Sequence, residues 1–455
     1  MPASRKKNDR FSIDPTFILF IVFIVVLWIG GGASRADVAG QVVVRAFSWL
    51  TILLLLIFGT RPEIRDYKWV GALLLATVCL VLLQLVPLPP ALWQAMPGRE
   101  VLAFSASVSD QTQPWRPLTI SPDATFNALS SLIVPVTTFG LLIASAKGGQ
   151  WKIALVVLGA IIAGCFLGVL QFAGSNFDNP LINDGGAVSG NFANRNHMAL
   201  FASFGCLLAP AWAYSSSENA RWKAALAVSL VVFFLLLILG TGSRAGIVFG
   251  LLATMLGFLA VRSRMMRQVK KLPIHKWLPA AVAVGASMIG AIILSIYLGR
   301  AESVDRANVL EMGDDLRTQI YPTVVEMIGR YWPAGSGFGA FDPVYRITEP
   351  DAVLGREYVN HAHNDFLEIV LDGGILGLAL LALAICWIGI RTFKVWRAPL
   401  RDGVLLARVA SSLLWLMLAA SLFDYPIRTP MMMALAVIAA VWLSEDRNGG
   451  ARQRG

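Results

Sequence analysis

"HAHNDFLEIVLDGGILGLALLALAICWIGI", residues 361–390, opens polar and turns apolar, and its second part decides the fold. From Leu367 to Ile390 only Glu368 and Asp372 interrupt an apolar run longer than the ~20 residues needed to cross a hydrocarbon core. Similar runs recur on both sides of it. Spans are expected near 16–33, 41–59, 69–88, 125–146, 152–172, 197–214, 222–240, 245–262, 278–298, 367–390, 404–424 and 427–444. The chain is 56% hydrophobic and 15% charged, with a mean hydropathy of +0.65, outside the range of soluble domains. The expected fold is an all-α polytopic membrane protein of about twelve transmembrane helices, forming one integral membrane domain over residues 1–455.

Lys and Arg set the orientation. With the amino terminus inside, the segments "SRKKNDR", "RPEIRDYK", "KGGQWK", "ENARWK", "RSRMMRQVKKLPIHK", "RTFKVWRAPLR" and "EDRNGGARQRG" hold 24 of the 38 basic residues. The largest outer segment, 299–366 between the ninth and tenth spans, carries eleven acids against six arginines. Both termini are therefore expected in the cytoplasm. The net charge of +10 reads as a topology signal with some contact to anionic lipid, and nucleic acid is not an expected partner. The first apolar stretch lacks a small-residue cleavage site and reads as a retained span. Cys79, Cys165, Cys206 and Cys386 fall within spans without paired spacing, as small buried apolar residues.

The polar outliers gather on the outer side. Of four histidines, His197, His361 and His363 fall there and only His275 is cytoplasmic. "HAHNDFLE" reads as a helix entrance at which Asp365 caps the first amides and Glu368 reaches back. His363 then stands just before the first turn, and Gly373, Gly374 and Gly377 would admit a close neighbouring helix. "GTGSRAG", 240–246, is a short polar break that places Arg244 at the start of a span, where a permanent charge needs an ion pair or an anion such as phosphate. "DDLRTQIYPTVVEMIGRYWPAGSGFGAF", 314–341, repeats Leu316, Ile320, Val324 and Ile328 every four residues. It is expected to form an amphipathic helix on the outer membrane surface, with Arg317 and Arg330 on its edges, followed by a glycine-rich turn. "SGNFANRNHMALF", 189–201, brings Asn194, Asn196 and His197 to another outer helix entrance. In "DYPIRTP", 424–430, Asp424 and Arg428 read as a mutual ion pair.

With these residues in view, the chain resembles the O-antigen ligase superfamily, which includes O-antigen and exopolysaccharide polymerases and bacterial protein O-oligosaccharyltransferases. His363, Asn364, nine residues, Gly374, two residues and Gly377 carry the likeness. It extends through "QLVPLPPALWQAM", "NRNH", "GSRAG" and the arginine-bearing helix running into "PAGSGFG", over most of residues 70–440. The resemblance implies a type C membrane glycosyltransferase of the bacterial inner membrane, with a periplasmic site and a helical periplasmic loop region. It would take a glycan from undecaprenyl diphosphate and deliver it to a lipid A core or glycan acceptor. It also implies His363 as the catalytic residue and Arg244 and Arg317 as diphosphate binders; beside them, Asn364, His361, Asn196, His197 and Arg330 are read from their motifs as shaping the site.

The chemistry supports that assignment. The donor already carries a diphosphate leaving group, so the protein has only to position a hydroxyl and stabilise departing charge. Guanidinium groups grip phosphate bidentately, so neither a metal nor a cofactor is expected; a metal site would have to enlist Asp314, Asp315 or Asp365. A neutral imidazole can accept the hydroxyl proton, and a single in-line displacement inverts the anomeric centre. One large outer segment favours ligation over polymerisation, which would call for two long arginine-bearing loops. A transporter would place its charges near the bilayer midplane, and a purely structural subunit would have little use for basic sites converging on one side.

Overall fold

Eleven of the twelve expected segments fall on helices of the computed structural model, which describes residues 14–59, 64–145, 149–175, 177–182, 188–215, 220–269, 316–351, 354 and 359–445. The ninth, 278–298, lies outside the described residues, as do His275, Asp314 and Asp315 and much of 299–366. In chain order the helices are α1 (Pro15–Gly30), α2 (Ala39–Phe58), α3 (Lys68–Gln84), α4 (Pro90–Trp93), α5 (Glu100–Val108), α6 (Pro122–Ser131), α7 (Ile133–Ala144), α8 (Gln150–Phe172), α9 (Arg195–Ala213), α10 (Ala220–Gly240) and α11 (Arg244–Val269). They continue with α12 (Leu316–Tyr331), α13 (Phe341–Thr348), α14 (Asp365–Arg397), α15 (Asp402–Ala420) and α16 (Pro430–Ser444). Among the described residues the only strand pair is the two-residue ladder of β1 (Pro87–Leu88) with β2 (Arg116–Pro117).

Eight of the described helices, counting α6 and α7 as one, are long and apolar enough to cross a membrane, and α1 and α16 are shorter apolar helices. The chain is an all-α polytopic membrane protein. Its outer surface carries fully apolar side chains such as Leu56, Phe58 and Leu383, more than half exposed, as suits lipid rather than water. Cys79 and Cys386 lie on that surface and only Cys165 and Cys206 are buried, so the expected burial fails for two of the four; helix rotation, which composition does not fix, decides it. The centre of the bundle is α9, with 16 of its 19 residues buried. Its small residues let neighbours approach: Gly205 lies against Phe234 of α10, and Gly246 of α11 lies against Ala199.

One end of the bundle gathers the start of α9, the α10–α11 turn, the start of α14 and the α15–α16 turn. A second, smaller core covers this end, where Ile320, Val324 and Met327 of α12 pack with Phe341, Val344 and Tyr345 of α13, Ala362 and Leu371. The apolar stripe expected to face lipid from α12 is thus spent on protein.

α14 is 33 residues long and breaks at Gly374, whose φ of 56° and ψ of −144° are open to glycine. The break receives the 333–339 loop, not another helix. Ser336 and Gly337 amides donate to the Leu371 and Asp372 carbonyls at 2.8 and 3.0 Å, and the Ile375 amide donates to the Pro333 carbonyl at 3.0 Å. Gln84 Nε2 also donates to the Asp372 carbonyl at 2.9 Å, while Gln84 Oε1 accepts from the Phe338 amide at 2.8 Å. The Leu371 and Asp372 carbonyls and the Ile375 amide, freed by the break, thus meet protein partners, the condition under which irregular backbone survives in a membrane protein. A Cβ at Gly374 would collide with the Pro333 carbonyl oxygen, which explains the glycine pattern first read as a helix–helix contact.

Candidate active site

The α14 entrance is built from within. Its N-cap is Asn364, whose side chain accepts from the Leu367 amide at 3.1 Å. Asp365, expected to cap, instead accepts from Ser421 Oγ at 2.9 Å and from Arg428 Nε at 2.9 Å. Glu368 does reach back, to the Ala362 amide and to His361 Nδ1, both at 2.9 Å. Arg428 Nη1 closes the network at 3.1 Å from Glu368. Burial depresses the Arg428 guanidinium, but Glu368, Asp365 and Asp372 outweigh it and keep the charge. The expected Asp424–Arg428 pair is therefore absent: the short helical turn Pro426–Arg428 sends the two side chains to different partners.

Asp424 is the hub of the other network. Its Oδ2 accepts from Asn194 Nδ2 at 3.0 Å and Asn196 Nδ2 at 2.9 Å, and its Oδ1 accepts from the Tyr425 amide at 3.0 Å. His363 Nδ1 lies 3.5 Å from Oδ1 and His197 Nε2 3.8 Å, close enough for charge to act but outside hydrogen-bond geometry. Burial pushes the Asp424 carboxyl up; the two imidazoles more than offset this and hold it well below the ordinary carboxylate range. The carboxylate is thus charged. The Tyr425 ring is the shared platform, with ring centroids of His361, His363 and His197 at 4.4, 5.0 and 5.4 Å. Burial pushes its phenol up, and the Asp424 charge adds to the effect, so the platform is neutral.

Exposure separates the histidines. His197 is 2% exposed and His361 16%, its Nδ1 bound to Glu368, whereas His363 is 22% exposed. His363 also adopts φ 50°, a left-handed conformation shared among described non-glycine residues only by Asp110. Such backbone costs ~1–3 kcal/mol and persists where surroundings enforce it. Here the enforcers are visible. Tyr321 OH donates to the His363 carbonyl at 3.2 Å, Asn364 Nδ2 donates to the Leu422 carbonyl at 3.1 Å, and the Asp365 amide donates to the Ser421 carbonyl at 2.9 Å.

The α10–α11 turn joins through Ser243. Its Oγ donates to Asn196 Oδ1 at 2.8 Å and accepts from the Gly246 amide at 2.9 Å, capping α11. Arg244, next in sequence, is exposed at the first position of α11. Residue 317 lies in α12 one turn before Tyr321, and its side chain is outside the described residues. Arg330 is not brought to His363. It is exposed near the far end of α12, nine residues beyond Tyr321 and thus ~13 Å along the axis, with its carbonyl beside Gly98.

The structure therefore unites His363, Asn364, His361, His197 and Asn196, with Arg244 beside Ser243, and adds Asp424, Tyr425 and Tyr321 as residues the sequence reading did not assign to the site. The polar "FDYPIR" turn between two apolar runs on the same face was the available signal for Asp424 and Tyr425. Residues 229–382 match the family model of O-antigen ligase. The match contains Ser243, Arg244, Arg317, His361, His363, Gly374 and Gly377, and leaves Asn194, Asn196, His197 and Asp424 outside. A search of curated protein sequences gives no match.

Proposed function

We propose, with the O-antigen ligase match over residues 229–382 as premise, that this chain is an inner-membrane glycosyltransferase. It would move a glycan from undecaprenyl diphosphate to an acceptor hydroxyl on the periplasmic face, both termini lying in the cytoplasm. The observation that carries the reading is the meeting of the 189–201 and 361–368 motifs on one buried carboxylate, Asp424, with Ser243 of the 240–246 turn joined to it through Asn196, beside an accessible histidine in enforced left-handed backbone. Such a constellation orients an imidazole for proton transfer.

In the proposed step the acceptor oxygen attacks the anomeric carbon from the side opposite the diphosphate. The new carbon–oxygen bond forms as the carbon–phosphate-oxygen bond breaks, with inversion. His363 Nε2 takes the hydroxyl proton while Nδ1 faces Asp424, whose negative charge stabilises the imidazolium that results. Arg244 and Arg317 take the charge developing on the leaving diphosphate, so the step needs neither a metal nor a cofactor. His361, tied to Glu368, supports the loop and does not exchange protons with substrate. Asn364 caps the helix that presents His363, and Asn196 and His197 frame Asp424.

The ligase reading, delivery to a lipid A core or related surface glycan, is preferred to polymerisation of the same lipid-linked units. Reconstitution with an undecaprenyl diphosphate-linked glycan and candidate acceptors, followed by mass analysis, tests the reaction. A gene deletion tests the subclass. A ligase mutant would accumulate polymer on the lipid carrier with bare lipopolysaccharide core, whereas cores capped by single repeat units would identify a polymerase.

A further inference from the structure

At the end of the bundle away from His363, α3 and α14 diverge and leave a lateral groove of about 730 Å³, within the size range of ligand sites. Leu73 and Ala76 form one wall and Leu383 and Trp387 the other. The mouth is basic, with Arg65, Lys68, Arg391 and Lys394 against a single described acid, Asp66. We propose that this groove binds an anionic phospholipid, with acyl chains along the apolar walls and the phosphate at Arg65, Lys68 and Lys394.

The cations of α14 have an ordinary explanation. Lys394 lies in the last turn and Arg391 two turns from the end, where the helix dipole favours positive charge, and Arg391 donates to the Leu443 carbonyl at 2.9 and 3.1 Å. On the α3 side the cations belong to the "RPEIRDYK" segment, whose charge also serves orientation. Lys68 is the first residue of α3, Arg65 precedes it by three, and the acid beside them is Asp66, in the short helical turn Arg65–Tyr67 that leads into α3, so two cations face one carboxylate. Cations at a helix N-terminus oppose the dipole, so an anion held there relieves both. Exposed basic side chains beside an apolar crevice at a membrane interface match a charged headgroup on hydrocarbon chains, and Trp69 and Trp387 sit where aromatic rings mark that interface. A second, narrower cavity of about 240 Å³ shares Leu73 and Trp387 and runs between α3, α14 and α16 to Ser421 and Ile427. The groove thus leads toward the turn that holds Asp424, and its apolar length offers room for a chain that a soluble anion would leave unfilled.

The test is lipid retention measured by native mass spectrometry on the full chain, extracted from nanodiscs holding equal phosphatidylglycerol and phosphatidylcholine. Wild type should retain phosphatidylglycerol selectively. Lys68→Gln with Lys394→Gln, both exposed, should weaken that retention about 25-fold, about fivefold for each charge removed near the surface. Lys152→Gln, at the same end but outside the groove, should leave it unchanged. Ala76→Trp, which fills the groove and keeps every charge, should also abolish retention, with thermal unfolding checked against wild type. Equal retention of both lipids, an equal loss in Lys152→Gln, or undiminished retention in the double lysine variant would overturn the proposal. So would displacement of the lipid by inorganic phosphate alone, which would mark the rim as a simple anion site. Because the readout is lipid bound and not glycan transferred, its failure leaves the transferase reading intact.

Discussion

Replacing Asp424 by Asn removes one charge and almost no volume, so it isolates what the carboxylate does. In the wild type Oδ2 accepts from two amide groups and Oδ1 accepts from the Tyr425 amide while facing two imidazoles. An Asn side chain must point its NH₂ one way or the other. Toward Asn194 and Asn196 it meets two donors. Those amides cannot flip freely, because Asn194 Oδ1 accepts from the Asn196 amide at 2.8 Å and Asn196 Oδ1 accepts from Ser243 Oγ at 2.8 Å. Toward Oδ1 it meets the Tyr425 amide. At least one buried donor is left unsatisfied, a cost of about 2 kcal/mol. Transfer should fall by about 10² to 10⁴-fold, as for a base that has lost its orienting carboxylate. The assay is single-turnover transfer from a synthetic lipid-linked donor in nanodiscs, with thermal unfolding followed in parallel. The stability difference has a pH signature. A carboxyl held below its free value of ~3.9 contributes fully above that value and loses its contribution as pH falls through the depressed one. The gap between Asp424→Asn and wild type should therefore persist from neutral pH down to about pH 5 and close only in stronger acid. A folded variant with unchanged turnover would refute the orienting role.

His363→Ala should cost about 10² to 10⁴-fold in transfer with the protein still folded, and His361→Ala, which loosens the loop without removing the base, should cost less; the reverse order would show the register to be wrong. Arg244→Lys and Arg317→Lys should each weaken transfer because lysine keeps the charge and loses the planar fork, and activity should survive EDTA; loss on chelation, restored by Mg²⁺ or Mn²⁺, would move the leaving-group role to a metal. Gly374→Ala should destabilise the fold by about 2 kcal/mol or more, since a β-carbon is driven against the Pro333 carbonyl at positive φ; a melting temperature equal to wild type would contradict the packing of the 333–339 loop. Single cysteines at Ser303 and Thr348 should label with an impermeant thiol reagent in intact spheroplasts, and labelling only after the inner membrane is breached would invert the topology.

The all-α apolar architecture, most of its helices and the gathering of polar motifs at one end were legible because they rest on local composition, and a segment's hydropathy does not depend on its partners. Which polar groups touch was not. Asp424 and Arg428, four residues apart with opposite charge, fit a local pair, yet their partners lie 228 to 230 and 60 to 63 positions away, contacts that leave no periodic trace. The cap moved from Asp365 to Asn364 for the same reason. Asp365 has a stronger claim on it in Ser421 and Arg428, from another helix and turn, and the neighbouring Asn takes the amide it leaves.

The glycines carry the same lesson into function. Gly374 and Gly377, read alone, fit a helix–helix contact, but a break nine residues into α14 divides it into a short stretch from Asp365 and a remainder of 23 residues from Ile375. At 1.5 Å per residue that remainder is about 34 Å long, and its apolar part before Arg391, about 24 Å, covers most of the ~30 Å hydrocarbon core. The stretch before the break then carries little of the spanning task. It can bury Asp365, Glu368 and Asp372 on one face, bind the 333–339 loop with the last and use the first two to fix the 361–363 loop through Arg428 and His361. The spacing from His363 to the glycines is therefore the length of a pedestal. It sets how far above the hydrocarbon the imidazole stands, and so, in the proposed reaction, the depth at which a lipid-anchored diphosphate and an incoming hydroxyl would meet.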